Sequence, residues 1–375
     1  MRRWFRILSV AGLIAGVPSA AAFAQEDDEG PALSAADQTA LSAMNASIVD
    51  RHVTPAFKAQ AAAAALFAAN AELFCKAPDA SGLDVLRTSY GAVSDAWQGV
   101  QHLRFGPTEL FMRSSRLMFW PDPRDSVGRQ LGELLARKDP ALFAADTLQG
   151  QSVSVQGLPA LERLLFGEDA KKLLAGDEEA ALRCAAIVGI ASNIKSIADG
   201  AAADWSGGGV AYDKAIKQAG PENELYRTPS EATVELFKAL YLATEVVADR
   251  KLARALGDKP ETARPRLLEQ WRSGRSLRNI QIDLAAAAAL WRAGMSDVVR
   301  QRDAGVAAEV EAALDKAVKD AEAIPAPLDT ALSDPARRPA VEAVVADAVA
   351  AKTLIANKLA PVLGIPLGFN ALDGD

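Results

Sequence analysis

Histidine and cysteine are the scarcest reactive side chains here, with two of each in 375 residues against 48 acidic ones. The histidines, His52 and His102, lie far apart in the chain, and neither belongs to H-E-x-x-H, the spacing that sets two imidazoles on one helix face around zinc. A catalytic zinc takes three protein ligands, usually rich in histidine, and keeps one position open. The supply of nitrogen ligands therefore all but excludes a conventional zinc hydrolase. Also missing are a G-x-S-x-G nucleophile elbow, a glycine-rich phosphate loop and a C-x-x-C-H haem attachment. Two-residue alternation with β-branched side chains is nearly absent, apart from a short candidate at 152–156. A basic excess is lacking too. Residues 25–375 hold 38 basic and 48 acidic side chains, a formal charge of −10, a poor basis for neutralising nucleic-acid phosphates.

What is present begins with an export signal. Arg2, Arg3 and Arg6 precede an apolar run at 7–17 that is too short to span a bilayer, and Ala22-Phe23-Ala24 forms an A-x-A cleavage site. Cleavage would leave Gln25 at the mature N-terminus, with no cysteine there to carry a lipid, and the expected location is periplasmic. No transmembrane segment is expected in the mature chain. In an oxidising compartment Cys75 and Cys184 are expected to form a disulfide closing a loop of roughly 110 residues, worth about 4 to 5 kcal/mol on the chain-entropy model. The alternative is two buried free thiols.

The pattern is all-α, in bundle-like halves. Residues 25–33 read as a disordered leader. Ser34 starts a helical segment that Pro55 kinks or restarts. Further helices are expected at 83–103, 125–137, 157–166 and 178–198, the last with Ile187, Ile190, Ile194 and Ile197 on one face. The glycines at 207–209 break the pattern and divide the chain into halves at 34–205 and 206–375. Ser230 is read as the cap of the next helix, with a stripe of Val234, Phe237, Tyr241 and Val247. Helical runs at 277–291, 304–323 and 336–359 follow.

The most informative stretch is 155–167, V-Q-G-L-P-A-L-E-R-L-L-F-G, where a serine-containing lead-in meets Gly157 and an apolar helix opens with Glu162 in its first turns. It resembles the signature of the imelysin family, secreted bacterial helical proteins with the motif G-x-H-x-x-E. Gly157 and Glu162 fill the first and last places, and Pro159 stands where the histidine would be. Other segments are similar to family landmarks in the same order: W-Q-G-V-Q-H-L-R-F-G-P at 97–107, F-W-P-D-P at 119–123, 264–280 with its core W-R-S-G-R-S-L-R-N-I at 271–280, and L-G-I-P-L-G-F-N-A-L-D-G-D at 363–375.

The resemblance implies two helical bundle-like halves with a cleft between them, and a link to iron acquisition without catalysis. The competing readings are a metallopeptidase-like activity and a metal-independent scaffold that binds a protein or small ligand. Carried over position by position, the ligand-binding candidates are Gly157, Pro159, Glu162 and Trp120. The metal candidates are Glu162, Asp373 and Asp375. Because a nitrogen ligand is lost at Pro159, a bound metal is expected to be iron or another hard cation held by oxygen. The expected partner is that ion or a periplasmic or membrane component of iron uptake. Arg104, Arg113 and Arg116 are weighed as lining for an anionic ligand, against a solvated role, and His102 is read as structural.

Overall fold

Helix follows helix through the whole of the described structure, with no strand among the described residues. The computed structural model describes residues 33–207 and 210–365. Helix α1, Ala35–Ile48, is capped by Ser34, whose hydroxyl accepts the Asp37 N–H. It passes through a π-helical turn, Val49–Val53, into α2, Thr54–Lys76. Pro55 sits at the second residue of α2, directly after the π-helical turn, and the backbone stays helical through the join, so it neither breaks nor restarts the segment. Helix α3, Ala80–Gln98, begins three residues before the apolar pattern suggests, because Asp79 caps it through the Gly82 N–H.

Helices α4, Ser126–Ala136, and α5, Leu158–Phe166, follow. The strand candidate at 152–156 is instead a 3₁₀ turn, Val153–Val155, which the Ser152 hydroxyl closes by accepting the Ser154 N–H. Helix α6, Glu178–Ser206, is capped by Asp177 and ends at Gly207, whose φ of 96° is left-handed; Gly208 and Gly209 lie outside the described residues.

Helix α7, Pro229–Glu245, is capped by Thr228, not Ser230. Pro229 explains the difference: it occupies the first turn, so the cap falls two residues earlier, at Thr228. Its buried face runs through Leu236, Leu240 and Ala243, while Val234 and Tyr241 are only half-buried. Helices α8, Ser276–Leu290, α9, Ala304–Ala323, and α10, Arg338–Leu354, follow, and shorter helices connect the labelled ones.

Small residues let α2 and α6 approach closely. Ala64, Ala68 and Ala71 of α2 face the isoleucine stripe of α6, where Ile187, Ile190, Ile194 and Ile197 are all buried. Cys75 and Cys184 join the two helices in a disulfide, with Cα atoms 5.4 Å apart. Helix α6 is also the one described helix long and apolar enough to cross a membrane by length and composition, and 67% of its most apolar window is buried inside the protein. The main core draws on Leu41, Phe67 and Trp205 as well as Leu240, Trp291 and Ile355. A second cluster comes only from later residues, with Leu252, Leu284, Ala317 and Val344 at its centre.

The two histidines meet inside this core. His52, on the π-turn, and His102, just beyond α3, place their Nε2 atoms 3.0 Å apart. One ring donates and the other accepts, so at least the accepting ring is neutral. Burial pulls His52 from the usual 6.5 down to about 4, and burial together with the neighbouring His52 holds His102 well below its usual value.

Between those limits the unfolded chain binds more protons than the folded one, so the pair's contribution to stability is intact above about pH 6.5 and is lost as pH falls toward 4. The loss at His52 amounts to about 3 kcal/mol. Histidine ring signals followed by NMR should show no titration between pH 5.5 and 8. A midpoint near 6.5 for either ring would contradict the buried neutral pair.

Candidate functional site

The signature glycine is a packing requirement before anything else. A Cβ on Gly157 would stand 2.3 Å from both the Arg116 and the Leu117 carbonyl oxygens. Backbone, not a movable side chain, occupies that space, so residue 157 has no room for alanine. The close crossing locks the start of α5 against the segment that leads into Phe119-Trp120-Pro121-Asp122. Asp122 then ties that loop to α4, its two carboxylate oxygens accepting the Ser126 and Val127 N–H groups at 2.8 Å each. Gly157→Ala should therefore lower stability by about 1 to 3 kcal/mol and change the emission of Trp120. Thermal melts and emission spectra that match wild type would show that the crossing relaxes at no cost.

These contacts frame a cleft of about 920 Å³. Trp120 and Pro159 line it, both half-buried, and Glu162 lines it from deeper in α5. Gly157 is buried behind it and does not line it. Pro159 takes its place in the first turn of α5, where proline fits. Asp373 and Asp375 lie outside the described residues.

Glu162 is 4% exposed. Its Oε1 accepts the Ser273 N–H at 2.9 Å and the Ser273 hydroxyl at 2.8 Å, while Oε2 takes no hydrogen bond among the described residues. Burial pushes its pKa up, against the two Ser273 bonds and the nearby Arg272. Among the described residues, no group of three or more histidine, cysteine, aspartate or glutamate side chains is placed to hold a metal ion. Glu162 alone does not fit a bare cation, which needs several oxygen ligands.

Arginines are prominent along the cleft, but not the expected ones. Arg104 pairs with Glu109, Arg113 is buried against Asp204 at 2.7 Å, and Arg116 holds Gln156 and Asn193. The six arginines that line the cleft are Arg163, Arg183, Arg250, Arg254, Arg266 and Arg272. Arg266 and Arg272 rest on the indole of Trp271, with guanidinium carbons 5.5 and 4.3 Å from the ring centre.

Below the cleft lies a buried polar cluster that no local sequence cue announces. Lys251, 2% exposed on the π-helical turn Val246–Leu252, donates to Glu269 Oε2 at 2.8 Å, Asp283 Oδ2 at 2.5 Å and Gln98 Oε1 at 2.7 Å. Gln98 and Asn279 also donate to Glu269 Oε2, and Gln101 donates to Asp283. Gln270 links this cluster to α3, accepting from Ser94 at 2.6 Å and donating to the Tyr90 hydroxyl at 2.6 Å. One cation faces two carboxylates. Burial raises Asp283 to about 7 against the pull of Lys251. Desolvation disfavours the Lys251 cation, but Asp283 and Glu269 outweigh it and hold the amine charged.

The segment 269–276 joins the cluster to the cleft: Glu269 and Gln270 point inward, and Ser273 reaches Glu162. The sequence marked 264–280 as a landmark without giving its residues a role. Lys251, Glu269 and Asp283 come from three separate segments, and only the fold brings them together.

Solved structures of known proteins share the all-helical fold. A solved imelysin-like protein from Psychrobacter arcticum matches with a TM-score of 0.72 at 21% identity, covering 90% of this chain and 99% of that one. A solved chain from Parabacteroides distasonis, described as an iron-regulated protein A precursor, matches with a TM-score of 0.73 at 14% identity, covering 87% and 95%. In sequence, the chain is 24% identical over 304 residues to iron-regulated protein A of Synechococcus elongatus, spanning 78% of each. The imelysin (peptidase M75) profile matches residues 53–355. With the signature carried at Gly157 and Glu162 and the all-helical fold in place, the chain belongs to the imelysin family.

Proposed function

We propose that this chain is an exported, periplasmic, non-catalytic binding protein tied to iron supply, and that the cleft beside α5 is its binding site. The observation that carries this reading is the meeting of Trp120, Pro159 and Glu162, from two separate signature segments, on one cleft of about 920 Å³. A volume of that size suits a small organic ligand or complex. The name of the Synechococcus relative, iron-regulated protein A, supports the iron link. Proline at 159 and the double engagement of Glu162 by Ser273 favour binding over hydrolysis. Iron then reaches the cleft within a complex, or through a partner in the periplasm or membrane.

Deleting the gene should slow growth under iron limitation. Wild-type protein should restore growth, and Trp120→Ala, which strips one wall of the cleft, should not. Normal growth of the deletion strain under iron limitation would overturn the iron link. Peptide hydrolysis that is chelator-sensitive and abolished by Glu162→Ala would replace binding with the peptidase reading.

A further inference from the structure

We infer that Arg254, Arg266 and Arg272 form the recognition wall of the cleft for a polycarboxylate ligand, with Trp271 as the platform that aims two of them. The inference rests on the reading of this cleft as the binding site and adds the chemistry of what binds.

The warrant is a separation between satisfied and unsatisfied cations. Arg163 is paired with Asp125, Arg183 with Asp169 at 3.2 Å, and Arg250 reaches Glu245 at 4.0 Å. Arg254, Arg266 and Arg272 have no ion-pair partner among the described residues, although they line the same cavity. Arg266 and Arg272 are also like charges sharing one indole, and each lowers the comfort of the other. An anion entering here displaces no resident carboxylate and relieves that repulsion.

The geometry favours carboxylates. Contact with Trp271 leaves the N–H groups of both guanidiniums without a hydrogen-bond partner among the described residues. The N–H fork of a guanidinium matches the two oxygens of a carboxylate in a bidentate pair. A single phosphate would fill little of a 920 Å³ cleft, whereas several carboxylates on one carbon frame engage several forks. The same cleft is lined by the carboxylates Asp122, Asp125, Glu162, Glu168, Asp169 and Asp329, of which Glu162, Asp122 and Glu168 act on Arg272. Asp122 is committed to capping α4 and Glu162 to Ser273. This acidic lining disfavours a plain anion that fills the whole cleft. It suits a carboxylate chelate whose hard cation lies on the side away from the arginines.

The experiment is calorimetric titration of the mature protein with citrate and with ferric citrate, with inorganic phosphate and acetate as controls, alongside tryptophan emission. Saturable binding of citrate or ferric citrate is expected, with ferric citrate the tighter, and phosphate and acetate at least tenfold weaker. Arg266→Gln/Arg272→Gln should weaken binding by about tenfold or more. Because Arg254 and Arg266 are exposed, Arg254→Gln/Arg266→Gln offers a second variant with little risk to folding. Both variants should melt close to wild type.

Phosphate binding as tightly as citrate would overturn the carboxylate assignment, as would unaltered affinity in both variants or no heat with either citrate form. If these titrations fail while the deletion strain still grows slowly without iron, the ligand chemistry is wrong and the iron-linked role stands. If citrate binds and growth is normal, the arginine wall is right and the iron link falls.

Discussion

Lys251→Met should destabilise the protein by about 3 to 5 kcal/mol, the cost of leaving buried carboxylates without their cation. Methionine matches the length of the lysine stem, so the cavity term is small and the effect reports charge. Glu269 and Asp283 would then face each other at 2% and 3% side-chain exposure, with Gln98, Gln101 and Asn279 as their remaining donors. Urea unfolding should show a lower midpoint with an unchanged slope. Adding Asp283→Asn to Lys251→Met should recover part of the loss, because it removes one of the stranded charges. An additive double variant would mean that the two side chains do not act as a unit.

Asp283→Asn alone gives a pH test of the same cluster. The Asp283 carboxyl is raised from its usual 3.8 to about 7. Between these values the folded state holds the proton more tightly than the unfolded chain, so this group's contribution to stability falls as pH rises from about 4 to 7. The histidine pair slopes the other way in an overlapping range, so wild type alone would blur the two. The difference between variant and wild type isolates Asp283, and it should move in favour of Asp283→Asn as pH rises from 5 to 8. A pH-independent difference would place the shifted proton elsewhere.

Reduction of the Cys75–Cys184 disulfide should lower stability by about 4 to 5 kcal/mol, from the entropy returned to the unfolded chain. The bridge spans 109 residues and joins α2 to α6, the most extensively packed helix pair in the molecule. The packing there is carried by the buried Ala64, Ala71, Ile187, Ile190 and Ile194 rather than by the sulfurs alone. Far-ultraviolet circular dichroism at room temperature should therefore stay helical after reduction, while the melting temperature falls by roughly 6 °C. Cys75→Ser/Cys184→Ser should behave alike. An unchanged melting temperature in both would mean that the unfolded chain is already constrained around this loop. Loss of the helical signal would mean that the α2–α6 interface needs the bond to form.

Much of the architecture is written in local patterns. The three-and-four spacing of Ile187, Ile190, Ile194 and Ile197 makes the buried face of α6 readable, because helical periodicity is a property of neighbouring residues. Ser34 and the proline of α5 mark helix starts for the same reason. The errors are local too. Thr228 caps α7 one residue before Pro229, where Ser230 looked the better cap, and Asp79 starts α3 ahead of its first periodic leucine. At 152–156 alternating serine and valine mimic a strand, but a serine turn satisfies the backbone within three residues.

By itself, then, the sequence determined the helical class, the disulfide partners, the landmarks at 119–123 and 155–167, and the loss of a nitrogen ligand at Pro159. Each of these depends on residue identity, on short spacing or on a count of two cysteines. Tertiary structure alone decided which arginines reach the cleft: Arg113 and Arg116, close to its loop in sequence, are spent on Asp204, Gln156 and Asn193, while Arg254, Arg266 and Arg272 arrive from far along the chain. It also decided that His52 meets His102 and that Lys251 finds Glu269 and Asp283. The physical reason is common to all three. A charge or an imidazole takes its role from its partner and its burial, and both are set by segments distant in sequence that only the packed helices bring within 3 Å or so of one another.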